Sequence, residues 1–205
     1  MTAETNQQKS EKVRSLALTT ARLPLHSLPA NAYLVHSTNC LGIWGAGIAQ
    51  QLADMFPAAC STYKAFCLET KDGTTPWPSR SLAGRALIIP PQQADVAAGA
   101  PRVHIVCLFT SYGYGSTNKA TGKPGKDTTA KILEQTDRAL EEFRSQLDGL
   151  AGTIQRESAR EAVPVIYSPR FNAGAFHVPW ERTVQVIERV FEGWEGCWVV
   201  LEPPT

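Results

Sequence analysis

What the chain lacks narrows it first. No apolar run approaches ~20 residues, the length a membrane-crossing helix needs. The first fourteen residues, MTAETNQQKSEKVR, are polar and carry no apolar segment of a secretory signal. A membrane partner is therefore not expected, and residues 1–14 read as a disordered tail ahead of one folded unit over 15–205. The five cysteines, Cys40, Cys60, Cys67, Cys107 and Cys197, are odd in number and none stands in C-x-x-C spacing. That argues against a disulfide framework and against a zinc site, and reduced thiols in the cytoplasm or nucleus are the plain reading. An excess of one charge is also missing. A formal net charge of +1 gives no bulk drive toward nucleic acid. Lys119, Lys123 and Lys126 are scattered through a glycine-rich loop rather than gathered in a patch, and are either solvated or in contact with phosphate.

The common hydrolase machineries are missing as well. None of the five cysteines is followed six residues later by the arginine of a cysteine-dependent phosphatase. GSTNKATGKP has the look of a P-loop, but six residues separate Gly115 from Gly122 instead of four. Pro124 stands where the magnesium-binding Ser or Thr belongs. There is no D-x-D for an aspartyl-phosphate, no H-E-x-x-H and no G-x-S-x-G. No metal or cofactor is expected.

What is present is an alternation of strands and helices in a chain of 205 residues, long enough for one domain with a sizeable core. Short apolar runs at Ser15–Thr20, Ala32–Ser37, Arg85–Ile89, Val103–Phe109, Val163–Tyr167 and Cys197–Leu201 read as strands. Several of them are nearly continuous, as in strands covered on both faces. Helical spacing marks Ile48–Phe56, a second segment over Ala58–Cys67 after Pro57, a long helix over Asp127–Leu147, and one from Pro179 through Phe191. Lys71–Ser81, with its glycine and two prolines, reads as loop. The pattern predicts an α/β, three-layer domain with a mostly parallel sheet.

In such a sheet ligands bind beyond the carboxyl ends of strands. Three glycine-bearing loops leave those ends: Ser37–Gly47, Thr110–Lys126 and Ser168–Val178. The first leads from a strand through Gly42, Gly45 and Gly47 into a helix N-terminus, an arrangement suited to a phosphate. By itself G-x-G before a helix also describes a tight packing turn. His36 closes the strand entering this loop and is either a capping histidine or a general acid or base at the pocket mouth. Asp127 stands where a helix N-cap belongs, or is a carboxylate turned to the same pocket. His104 reads as a core residue, His177 borders the third loop within reach of a ligand, and His26 carries little signal.

Two stretches carry a family likeness. VHSTNCLGIWGAGIAQQLADMFP resembles the first signature of macrodomains, which bind ADP-ribose. Within them it is most similar to the yeast-type ADP-ribose 1''-phosphate phosphatases, with their N-C-x-G-x-W-G-x-G-I-A pattern. SPRFNAGAFHVPWERT resembles the second signature, P-x-x-N-S-G-x-F-G-V-P-W, and CLFTS the central strand. The likeness spans about Tyr33 to Phe191. It implies a single macrodomain, an α/β/α sandwich around a mixed, mostly parallel sheet. By the same resemblance Asn39 contacts the distal ribose, and Gly45, Ala46, Gly47 and Ile48 wrap that ribose and the diphosphate. Asn172, Ala173, Gly174, Ala175 and Phe176 form the second diphosphate loop, with Phe176 beside the distal sugar. His36 matches a histidine implicated in catalysis, and Asp127 is the best-placed acidic partner.

The implied activity is hydrolysis of ADP-ribose 1''-phosphate to ADP-ribose and phosphate. The alternatives are an ADP-ribose-binding module without chemistry, or a hydrolase removing ADP-ribose from protein or nucleic acid. The partners are thus ADP-ribose or its 1''-phosphate, with ADP-ribosylated macromolecules as the further case, and a monomer is expected. Three positions depart from the family pattern. Arg22 stands near the place of an adenine-reading aspartate, and His177 replaces a glycine. Ala175-Phe176 lacks the aspartate of macrodomains that cleave glutamate-linked ADP-ribose.

Overall fold

The computed structural model describes residues 16–154 and 164–202. The polar tail, Ser15 and Val163 at the heads of two expected strands, and Pro203-Pro204 lie outside the described residues.

Side-chain alternation divides the core into two sheets of contact. In β2 (Tyr33–Asn39) Leu34 turns to one face and Val35 to the other. In β4 (His104–Ser111) Ile105, Cys107 and Phe109 share the face of Leu34, while Val106 and Leu108 share that of Val35. The first face is covered by α1 (Gly47–Met55) and α2 (Pro57–Leu68) through Leu52, Ala59 and Tyr63, with Phe56 buried between the two helices. The second is covered by α4 (Thr129–Ile154) and α5 (Trp180–Val190) through Leu140, Phe143, Ile187 and Val190. Burying a side chain such as Leu140 or Phe143 is worth about 1.5–3 kcal/mol. Helices on both faces give the three layers expected of the fold.

The remaining strands are β1 (Ala17–Ala21), β3 (Ala86–Ile89), β5 (Val165–Ser168) and β6 (Cys197–Leu201). The sheet runs β1-β6-β5-β2-β4-β3, and every pair is parallel except β3 with β4. The order reverses at its centre. From β2 the chain crosses to the edge strand β3 and returns through β4; from β5, on the other side of β2, it moves the other way, to β6. Such a switch point opens a crevice at the strands' carboxyl ends, and here the pairing shows it. β2 follows β4 along its length, from Tyr33↔His104 to Asn39↔Ser111, but pairs with β5 only at Tyr33↔Ile166 and Leu34↔Tyr167. Beyond Leu34 the two strands part.

Four details differ from the sequence reading. The first strand sits later, at Ala17–Ala21. A short helix, α3 (Gln93–Ala97), lies in a stretch that gave no helical period, held by buried Asp95. The Asp95 carboxylate accepts the N–H groups of Ala58 (2.8 Å) and Ala59 (3.0 Å), capping α2 from another element because Phe56 offers no side-chain cap. Helix α4 continues to Ile154, past Gly149 and Gly152, which weaken a helix without ending it. Asp127 is not its N-cap: Thr128 is, its Oγ1 accepting from Lys131 N at 3.3 Å and its carbonyl from Ile132 N at 2.9 Å.

Candidate active site

The loop after β2 is shaped from below by Asn39. Its Oδ1 accepts from Leu41 N (2.9 Å), and its Nδ2 donates to the Ile43 carbonyl (2.6 Å). Tyr63 OH, reaching from α2, donates to the Asn39 carbonyl at 2.6 Å. Gly42 has φ +75°, and a Cβ there would fall 3.3 Å from Cys67 Cβ, so the turn needs glycine. The loop then surfaces: Gly45, Ala46 and Gly47 are exposed. Gly47 has φ +57° and opens α1, whose N-cap Ala46 supplies no side-chain acceptor. The first-turn N–H groups of α1 thus have neither a helical partner nor a cap and carry the positive end of the helix dipole.

The loop after β5 is shaped the same way by Asn172. Its Oδ1 accepts from Thr110 Oγ1 (2.8 Å), its Nδ2 donates to Thr136 Oγ1 (2.9 Å), and its N–H donates to Ser37 Oγ (3.1 Å). The last of these spans the gap where β2 and β5 separate. Gly174 and Ala175 are exposed, and nothing lies within 4 Å of where a Gly174 Cβ would stand. Phe176 is buried against Ile132 and Val178. His177 is exposed at φ +56°, in the left-handed region that favours glycine.

The structure sets both glycine loops at the end of the sheet where β2 and β5 part, tied there by the Asn172 N–H bond to Ser37, and sorts their residues. Gly45 to Ile48 and Ala173 to Ala175 form the accessible surface. Asn39, expected on the distal ribose, is buried and engaged in holding its own loop. Asn172 is likewise buried and engaged. Sequence reasoning missed their partners Tyr63, Thr110 and Thr136, which lie in other elements with no local signal. A cleft of about 460 Å³ lies on the α2 side of the first loop, lined by Leu41, Trp44, Lys64, Leu68 and Trp77 among others. It does not include the second glycine loop, so the crevice between the strands, rather than this cleft, carries the ligand argument.

Of the two expected catalytic groups, one is sealed from solvent and the other is engaged by four hydrogen bonds. His36 is fully buried on the α1–α2 face, its ring edge-on to Trp44 at 4.8 Å and its Nε2 3.7 Å from Cys107 Sγ. Burial lowers its pKa to about 3, so the ring is neutral at physiological pH. A sealed imidazole in that position packs beneath the glycine loop and has no surface toward the crevice. Asp127 is occupied. Arg80 holds it with two bonds (2.9 and 3.2 Å), and Tyr112 N–H (2.8 Å) and Gln135 Nε2 (3.1 Å) donate to the same carboxylate. Burial works to raise its pKa, but the Arg80 pair and the two hydrogen bonds hold the carboxyl below the usual range. Its work is to anchor the loop after β4 to the start of α4. Among the described residues no group of three or more His, Cys, Asp or Glu is gathered to hold a metal ion, and no helix is long and apolar enough to cross a membrane.

The fold is that of macrodomains. The macrodomain of Mycobacterium tuberculosis DarG superposes with a TM-score of 0.62 at 19% identity, over 93% of this chain and 100% of that one. No protein-family model matches the chain. Individual relatives do: it is 36% identical over 180 residues to the ADP-ribose 1''-phosphate phosphatase of Aspergillus fumigatus, covering 80% of this chain and 85% of that protein. The enzyme of the same name from Neosartorya fischeri matches at the same identity and coverage. The chain belongs to the ADP-ribose 1''-phosphate phosphatase family.

Proposed function

We propose that this protein hydrolyses ADP-ribose 1''-phosphate to ADP-ribose and inorganic phosphate. One observation carries the reading beyond family membership: the parting of β2 from β5 exposes two glycine loops together, one of them an uncapped helix N-terminus. A diphosphate lying across that crevice receives backbone N–H groups from both sides, with no side chain in the way. The family likeness sets the distal ribose beside Phe176, whose carbonyl Lys126 of the loop after β4 reaches, so the 1''-phosphate is assigned to the side of that loop.

Phosphoryl transfer asks little covalent chemistry of a protein; its transition state is loose and is stabilised mainly by position and charge. A site built from fixed N–H donors, with His36 and Asp127 serving its framework, is suited to that. Water attacks phosphorus, the P–O1'' bond breaks, and a proton from water ends on O1'' of the ribose. The protein acts on this small molecule as a monomer, in the cytoplasm or nucleus. Incubation with ADP-ribose 1''-phosphate should release phosphate in proportion to enzyme. Tight binding of ADP-ribose with no phosphate released would make the protein a binding module instead.

A further inference from the structure

The loop between β4 and α4 carries three lysines with three different fates. Lys119 is exposed. Lys123 is spent inside the loop: its ammonium donates to the carbonyls of Tyr114 (2.6 Å), Ser116 (2.9 Å) and Pro124 (3.2 Å) and lies 4.1 Å from the Tyr114 ring centre. Lys126 is half-buried, and its ammonium crosses to the second glycine loop, donating to the Phe176 carbonyl at 3.0 Å. That bond uses one of three N–H donors, and the other two have no partner among the described residues.

The backbone around Lys126 is fixed on both sides. Its own N–H donates to Gly115 O (2.9 Å), and the next N–H, of Asp127, donates to Ser111 Oγ (2.9 Å). The loop is folded so closely on itself that a Cβ on Gly113 would stand 2.2 Å from the Pro124 carbonyl, and one on Gly125 2.7 Å from Thr117 N. Two arginines near the loops are engaged. Arg80 is held by Asp127 and lies over the Tyr112 ring. Arg170, at the opposite end of the second loop, pairs with Glu202 at 3.4 Å.

We propose that Lys126 contacts the substrate, supplying the cation for the 1''-phosphate and setting the preference for the phosphomonoester over ADP-ribose. The inference rests on the proposed hydrolysis, which sets the distal ribose beside Phe176. Backbone N–H groups suffice for the shared charge of a diphosphate, but a terminal phosphate adds up to two further charges at one point. An ammonium tethered to the adjoining carbonyl, with two donors free, meets that charge without moving far. As the P–O1'' bond lengthens, the same ammonium offsets charge on the phosphoryl and departing oxygens.

The competing role is a tie between loops, and the two roles separate by ligand. In Lys126→Gln, kcat/KM for ADP-ribose 1''-phosphate should fall about 10- to 100-fold, the usual effect of losing one charge-assisted hydrogen bond. The Kd for ADP-ribose itself should change less than about threefold by calorimetry, and Lys126→Arg should recover most of the loss. Equal loss of both ligands would reduce Lys126 to a tie, and unchanged turnover would remove it from the site; either overturns the proposal. If the native protein releases no phosphate, the hydrolysis reading fails. The Lys126 inference is then still decided by whether the variant loses affinity for the 1''-phosphate relative to ADP-ribose.

Discussion

His36 shows how far one residue's reading depends on what the chain folds around it. From sequence it closes a strand at a glycine loop, which fits a base at the mouth equally with a packed ring. Burial decides: the ring is sealed between Trp44 and Cys107. The unfolded chain binds a proton near pH ~6.5, whereas the folded one resists it down to about 3. Between those values the unfolded state holds more protons, so stability is full above pH ~6.5 and is lost as pH falls toward 3. Replacing His36 with Leu should flatten that slope in urea melts taken from pH 7 to 4. His36→Ala should leave a cavity under Trp44, costing about 2–3 kcal/mol, and should lower ADP-ribose affinity along with turnover. Lost turnover with melting temperature and affinity intact would restore the general base. Asn39 and Asn172 carry the same lesson. Their positions in the motifs were legible, but their buried bonds to Tyr63, Thr110 and Thr136 come from elements 24 to 62 residues distant and leave no local trace.

At the level of elements, legibility follows whether a segment's shape is set by its own residues. The helices of Ile48–Phe56 and Ala58–Cys67 and the break at Pro57 were readable because apolar spacing and a proline act locally. Helix α3 was not, because its reason is Asp95 capping α2 across the fold. The first glycine loop lies between these cases. Its glycines announce a turn, but whether the turn packs or binds depends on the parting of β2 from β5, a property of the pair. Gly47 tests the binding role directly. Space exists for a side chain there, so Gly47→Ala should bear only the left-handed backbone cost, about 1 kcal/mol. Gly47→Glu adds a negative charge at the start of α1 in the same space. Calorimetry should show ADP-ribose affinity kept within about tenfold in the alanine variant, as that cost allows. The glutamate variant should lose it, with unchanged circular dichroism. Equal affinity in both would place the diphosphate elsewhere.

Taken whole, the molecule explains which bond should break. The α/β alternation made three layers and a mainly parallel sheet readable, although strand order, and with it the switch point between β2 and β5, is not written in any one segment. That switch point delivers backbone donors to the crevice from both sides. Among the described residues it does not deliver a carboxylate pair. Breaking the C1''–O bond through an oxocarbenium ion, as glycosidases do, calls for two carboxyl groups flanking the carbon. Among the described carboxylates near the loops, Asp127 is saturated by Arg80, Tyr112 and Gln135, and Glu202 is shared between Arg22 and Arg170 at the far end of the second loop. Attack on phosphorus needs no such pair, only fixed charge around a loose transition state. Turnover in ¹⁸O-labelled water should therefore place the label in the released phosphate, read by mass spectrometry. Label in the ribose hydroxyl instead would mean that C1''–O is cleaved and that a carboxylate must leave its present partners during the reaction.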